Sequence, residues 1–146
     1  MSLVATSNGA RVLRSVAGVA GCILLTSVIV ESIEFGLVAL IHGAPTTDPQ
    51  TYLGIRNQAG FLAVKLIYNG VGGAVGGYVA GGIAGRRPLT HAGVAALLQS
   101  ALLAMAVADP VMRLSTPIWA WIGVGATTVG GMLIGGWLKM ARAAKA

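Results

Sequence analysis

Four long apolar runs separated by short polar segments organise the chain. The first extends from about Val16 to Ile41, the second from about Ala59 to Ala84, the third from about Leu89 to Ala108 and the fourth from about Ile118 to Leu138. Their apolar residues come in blocks rather than at amphipathic spacing, and each block is long enough to cross a ~30 Å hydrocarbon core as an α-helix. At the helical rise the first run measures about 39 Å, so its helix tilts or protrudes. The pattern predicts an all-α fold, an integral membrane four-helix bundle built from two transmembrane hairpins in one domain, residues 1–146. A signal peptide has an apolar region of only ~7–15 residues. The first run is longer and continues through Glu31 and Glu34, so it is expected to stay.

The intervening segments carry their own signals. Between His42 and Gln58 lie Pro45, Asp48, Pro49, Tyr52 and Arg56. Asp48 followed by Pro49 predicts an N-cap and a first helical residue, hence a short interfacial helix through Tyr52 and Ile55. Arg86-Arg87-Pro88 predicts a tight turn. Asp109-Pro110 predicts a helix stop, with a brief loop through Met112 and Arg113 to Pro117.

Composition agrees with a membrane environment. Hydrophobic residues make up 55%, charged residues 10%, and mean hydropathy is +0.81. A soluble domain carries roughly 25% charged residues to cover its surface. The net charge of +6 and the pI near 10.3 raise nucleic acid as a partner. The placement of the basic residues argues against it, because they stand singly or in pairs at the ends of apolar runs, where topology puts them. Arg11, Arg14, Arg86, Arg87, Lys139, Arg142 and Lys145 fall on one side, Arg56 and Arg113 on the other. That bias predicts cytoplasmic termini. Trp119 and Trp121 at one end of the fourth run, with Trp137 at the other, fit aromatic belts at both interfaces. The single Cys22 lies inside the first run and reads as an inert core thiol.

An internal repeat is suggested by two matches. Ala17-Gly18-Val19-Ala20 corresponds to Ala92-Gly93-Val94-Ala95, and Gly76 to Gly82 corresponds to Gly130 to Gly136. A duplicated hairpin would place a pseudo-twofold along the membrane normal.

Glycine is the strongest local signal. Gly72, Gly73, Gly76, Gly77, Gly81, Gly82 and Gly85 share the second run, and Gly131 and Gly135 the fourth. Within lipid no hydrophobic drive gathers helices, so close approach through small residues supplies much of the association. These glycines are expected to pack helices, within the chain or against a partner subunit. A nucleotide-binding loop is ruled out by the absence of a preceding strand and a correctly spaced acidic residue.

Intramembrane polar residues are the candidate site. Glu31 and Glu34 are three apart on one helix, and Lys65, Tyr68 and Asn69 make a polar face on the next. Glu34 lies about 11 Å and Lys65 about 8 Å from the same ends of their runs by the helical rise, so a pair between neighbouring helices is expected. A charge in hydrocarbon is costly unless paired, and one placed there has a structural or transport task. His42 and His91 sit at opposite ends and cannot share a metal. No catalytic triad, HExxH or Cys/His cluster is present, so neither an enzyme nor a cofactor is expected.

The run Gly76-Gly77-Tyr78-Val79-Ala80, continuing through Ile83-Ala84-Gly85-Arg86-Arg87-Pro88-Leu89-Thr90-His91-Ala92, resembles a pattern of small uncharacterised bacterial four-helix inner-membrane proteins. There a glycine-rich helix ends in a basic turn and His-Ala opens the next. The resemblance covers 17 residues. It implies a bacterial inner-membrane location and no activity.

Two function classes fit. One is a non-catalytic accessory or structural subunit, packing through glycine-rich faces against itself or a larger membrane complex. The other is a small oligomeric channel or transporter for an ion or small solute, using Glu31, Glu34 and Lys65. Membrane lipids are expected partners of either. Carboxylates lining a wet cavity favour transport; carboxylates sealed against Lys65 or another chain disfavour it.

Overall fold

The computed structural model describes the backbone of residues 2–145 and the side chains of residues 8–145. Among the described residues six helices follow one another: α1 (Ser2–His42), α2 (Pro49–Arg56), α3 (Ala59–Ala84), α4 (Pro88–Ala108), α5 (Pro110–Ser115) and α6 (Ile118–Ala143). The helices α1, α3, α4 and α6 are long and apolar enough to cross a membrane, and they pack as a bundle. This is the architecture of a small multi-pass membrane protein. Leu40, Ile67, Leu97 and Met105 are each at least two-thirds exposed on its outside. Such a surface is an association hazard in water and an ordinary one against acyl chains.

The central helix is α3, which packs most extensively on α6 and next on α1, while α4 lies against α6 and α3. Glycines decide where these helices touch. Gly73 and Gly131 approach reciprocally: a Cβ on Gly73 would strike Thr128 O and Met132 N, and one on Gly131 would strike Gly70 O and Ala74 N. Gly77 and Gly135 repeat the arrangement one turn on, against Met132 O and against Ala74 O and Tyr78 N. On another face of α3, Gly72 meets Val30 and Ile29, and Gly76 meets Thr26 and Cys22 of α1. Gly81 rests on Pro88 and Lys139. Removing Cβ atoms lets backbones come into dispersion contact, which is what holds helices together in lipid.

Each of these glycine contacts is made within the chain, so the glycine faces are not free to receive a partner. Gly82 departs from the expected set. It is exposed, and a Cβ there would meet only the Lys139 side chain at 3.8 Å. From Gly72 onward the glycines of α3 come in adjacent pairs whose members are turned about 100° apart, and in the last pair Gly82 lies on the outer side. Gly136, absent from that set, is buried against Pro88, Leu89 and Ala92 of α4. The repeat is out of step with the packing. Its alignment equates Gly77 with Gly131, whereas the crossing equates Gly73 with Gly131 and Gly77 with Gly135, one turn away.

The helix ends differ from expectation where nothing breaks the chain. Instead of starting near Val16, α1 runs from Ser2, because no proline interrupts the polar lead and a nucleated helix propagates. Past Leu138, α6 continues to Ala143 through Lys139, Met140, Ala141 and Arg142, all good helix formers. Asp48 caps α2 as expected, its Oδ2 accepting from Thr51 N at 2.8 Å. Asp109 does more than stop a helix: its Oδ1 accepts from Val111 N (2.8 Å) and Met112 N (3.0 Å), starting α5 in what reads as loop.

Between α3 and α4 the turn is only Gly85 to Arg87. Gly85 takes the left-handed conformation (φ 68°), and its N–H donates to Gly81 O at 3.2 Å. Arg87 is also left-handed (φ 44°), strained by roughly 1–2 kcal/mol for a residue with a side chain. At this end Lys139 Nζ lies 5.2 Å over the Tyr78 ring, and Arg142 Nη1 donates to Tyr78 OH at 3.3 Å.

Candidate functional site

At the opposite end α2 folds over α1 and α3, and its Asp48 cap fixes where it starts. Hydrogen bonds from Thr51, side chain and backbone, hold the Asp48 carboxyl below its ordinary range. Tyr52 and Arg56, four residues apart, share one face of α2 and point at Glu34.

Glu34 is 2% exposed and is the hub of this end. Its Oε2 accepts from the Lys65 ammonium and from the Tyr68 hydroxyl at 3.0 Å. Its Oε1 accepts from the Tyr52 hydroxyl at 3.2 Å and lies 2.6 Å from Arg56 Nε. Two cations and two hydroxyls therefore surround one carboxylate. Burial, and then the facing carboxylate, push the Tyr52 hydroxyl above its ordinary pKa, so it remains a donor. Two cations against one carboxylate leave an excess of one positive charge, which Glu31 balances.

The expected polar residues separate into three roles. Lys65 and Tyr68 join Glu34. Asn69 turns to the seam with α6 instead, its Nδ2 donating to Lys65 O at 2.8 Å and its Oδ1 accepting from Thr128 Oγ1 at 3.2 Å. Glu31 is exposed and makes no ion pair among the described residues. Tyr52 and Arg56 were missed as site residues by sequence reasoning. The signal for them was the Asp48-Pro49 start, which puts both on one helical face.

A chamber of about 350 Å³ lies between α1, α3, α4 and α6 beside this cluster. Its wall is mainly apolar, with Glu31, Arg56, Lys65, Asn69, Gln99, Ser100, Trp121 and Thr128 among its lining residues. A second cavity of about 480 Å³ lies between the end of α1, residues 46–47 and α2. Glu31, Arg56 and Met112 line both, so they form the partition between them. Arg56 Nη1 donates weakly to Met112 Sδ across it, at 3.6 Å. Three polar atoms of the chamber residues, Arg56 Nε, Gln99 Oε1 and Trp121 Nε1, are buried without a hydrogen-bond partner, although Arg56 Nε lies in ion-pair contact with Glu34. Buried polar atoms are almost always paired, so such exceptions call for an explanation.

Trp121 also corrects the aromatic-belt expectation. Trp119 and Trp137 are about half exposed, as belt residues are, but Trp121 is 8% exposed. Two residues along a helix is a rotation of about 200°, so Trp119 and Trp121 cannot both face lipid. Cys22 is fully buried in the core with Ala80 and Met132.

A mainly apolar chamber with a few convergent polar groups is the usual form of a small-molecule site, and helix bundles build such sites between their helices. No family model matches the chain, and no characterised protein or solved structure matches it either.

Proposed function

We propose that this protein is a non-catalytic membrane transport protein that receives a small polar solute in the chamber between its four spans. The observation that supports this reading is the chamber itself, about 350 Å³ with Glu31 and two unpartnered polar side chains on its wall. Glu34 has a different task. With two cations and two hydroxyls around it, it ties α1, α2 and α3 together and leaves Glu31 as the carboxylate that meets the solute. The charge bias, with Arg11, Arg14, Arg86, Arg87 and the α6 tail at one end, supports cytoplasmic termini in a bacterial inner membrane.

The second reading, an accessory subunit of a larger membrane assembly, draws on α4. Its Leu97, Leu98, Leu102 and Met105 are all exposed, and its buried residues are three alanines near one end. The glycine faces do not serve this reading, since the chain fills them itself.

Thiol access to the chamber tests the proposal. Ser100→Cys in a Cys22→Ser background is expected to react with a membrane-impermeant thiol reagent in sealed vesicles, and from each face in turn. An introduced thiol that reacts fully after unfolding but from neither face of the vesicle would overturn transport. Mass measurement in mild detergent addresses the subunit reading, which requires a second chain in fixed ratio.

A further inference from the structure

We propose that the chamber accepts a small zwitterion, a molecule with one ammonium and one carboxylate on a short apolar body. This rests on the reading of the chamber as a solute site. Three ionisable side chains line its polar end, Glu31, Arg56 and Lys65, and Glu34 stands behind them in ion-pair contact with Arg56 and Lys65. The four formal charges cancel. A ligand with a net charge would leave that charge uncompensated in a low-dielectric surround, whereas a zwitterion adds none.

Unused bonding capacity points the same way. Lys65 and Glu34 are committed to each other. Arg56 Nε lies in ion-pair contact with Glu34 without a hydrogen bond, and its Nη1 reaches only the Met112 thioether at 3.6 Å, a weak acceptor. Glu31 makes no ion pair among the described residues. One underused guanidinium and one underused carboxylate thus line the same chamber without pairing with each other. A ligand that carries both charges can bridge them, its carboxylate on Arg56 and its ammonium on Glu31.

The unpartnered atoms of Trp121 and Gln99 supply the matching neutral contacts. Trp121 is more than nine-tenths buried, and its Nε1–H is a donor available to a carboxylate. Gln99 Oε1 is an acceptor available to an ammonium. Leu62, Leu103 and Val124 line the rest and suit an aliphatic body.

Three probes of matched shape separate the charges: L-leucine, 3-methylbutylamine and 4-methylpentanoate. Thermal unfolding of the purified full chain in detergent is measured with each at millimolar concentration. L-Leucine is expected to raise Tm by about 2–4 °C, as a ligand well above its Kd does, and the two singly charged probes by less than a quarter of that. Glu31→Gln and Trp121→Phe should each abolish most of the leucine shift. The proposal is overturned if the amine or the acid alone matches leucine. It is overturned equally if leucine gives no shift, or if its shift survives in both variants. Ser100→Cys labelling separates the two failures: a reactive, solvent-reached chamber without a leucine shift condemns the ligand class alone, while an unreactive one condemns the site.

Discussion

The two ends of the α3–α6 pair are built on opposite principles. Toward the Arg86–Arg87 turn, the helices touch backbone to backbone through Gly73, Gly77, Gly131 and Gly135. Toward Glu34 the same two helices carry bulk and charge. Leu62, Lys65, Trp121 and Val124 border an open chamber there, and Leu66 packs so tightly on Gly123 that a Cβ would lie 2.8 Å from it. Helices in lipid have no hydrophobic force to gather them, so contact must be made by shape. The glycine end supplies that contact and the polar end uses it. A membrane protein of this size can keep unpaired groups in a chamber because its other half is clamped.

Several substitutions test that division of labour. The largest loss is expected for Glu34→Gln. Three donors and the Arg56 guanidinium converge on its two oxygens, and a carboxamide offers only one acceptor oxygen and adds a donor of its own. With Lys65 and Arg56 left unneutralised, the cost should be about 3–5 kcal/mol. Lys65→Met should cost less, since Arg56 still neutralises Glu34, and the double variant should recover part of the Glu34→Gln loss. Thermal unfolding in detergent reads all three. Strictly additive losses would show that the pair is not the fastening at this end.

Next in size are the clamp glycines. Gly77→Ala and Gly135→Ala drive a methyl into a facing backbone carbonyl, and such overpacking costs ~1–3 kcal/mol. Gly82→Ala is the contrast. Its new methyl meets Lys139 at an ordinary distance, and because Gly82 lies in the last turn of α3 its removal should stabilise by somewhat less than the mid-helix figure of about 0.5–1 kcal/mol. Equal responses at Gly77 and Gly82 would mean that the helices do not cross where we place the crossing.

The smallest effect concerns the Asp48 cap of α2. Its folded pKa lies below the unfolded one, so its stabilisation is complete above the unfolded value and is lost as pH falls through the folded value. The Tm difference between the wild-type chain and Asp48→Asn should be steady from pH 5 to 8 and shrink below about pH 4. A difference that stays constant into acid would dissociate the cap from ionisation.

The spans were legible in the sequence because length and apolarity alone decide them. The α3 boundaries, Ala59 and Ala84, coincide with the expected ones, since Gln58 and Gly85 flank it clearly. Pairing of Glu34 with Lys65 was legible too, from depth along two neighbouring runs. What escaped was whatever depends on rotation about a helix axis. Depth along the fourth run puts Trp119 and Trp121 together, while rotation puts them on opposite sides. The same applies to Gly81 and Gly82, adjacent in sequence and divided between core and exterior. Arg56 was taken as a topological charge because the helix that aims it is only eight residues long. Asp109-Pro110 carried the same cap signal as Asp48-Pro49 and was read only for the helix it ends.

Mechanically, α4 is a beam held more firmly at one end than at the other, where the short α5 joins it to α6. It is rooted at the strained Arg87 and Pro88, and its buried residues, Ala92, Ala95 and Ala96, all lie close to that root. From Leu97 to Ala108 the arm extends about 18 Å at the helical rise. Deflection by about 10° at the root therefore carries its tip sideways by roughly 3 Å, close to the diameter of a water molecule. Gln99, Ser100 and Leu103 ride on that arm and wall the chamber. A displacement of that size would alter the chamber wall, where Leu103 rests against Gly125 of α6, while the α3–α6 glycine contacts lie outside the arm.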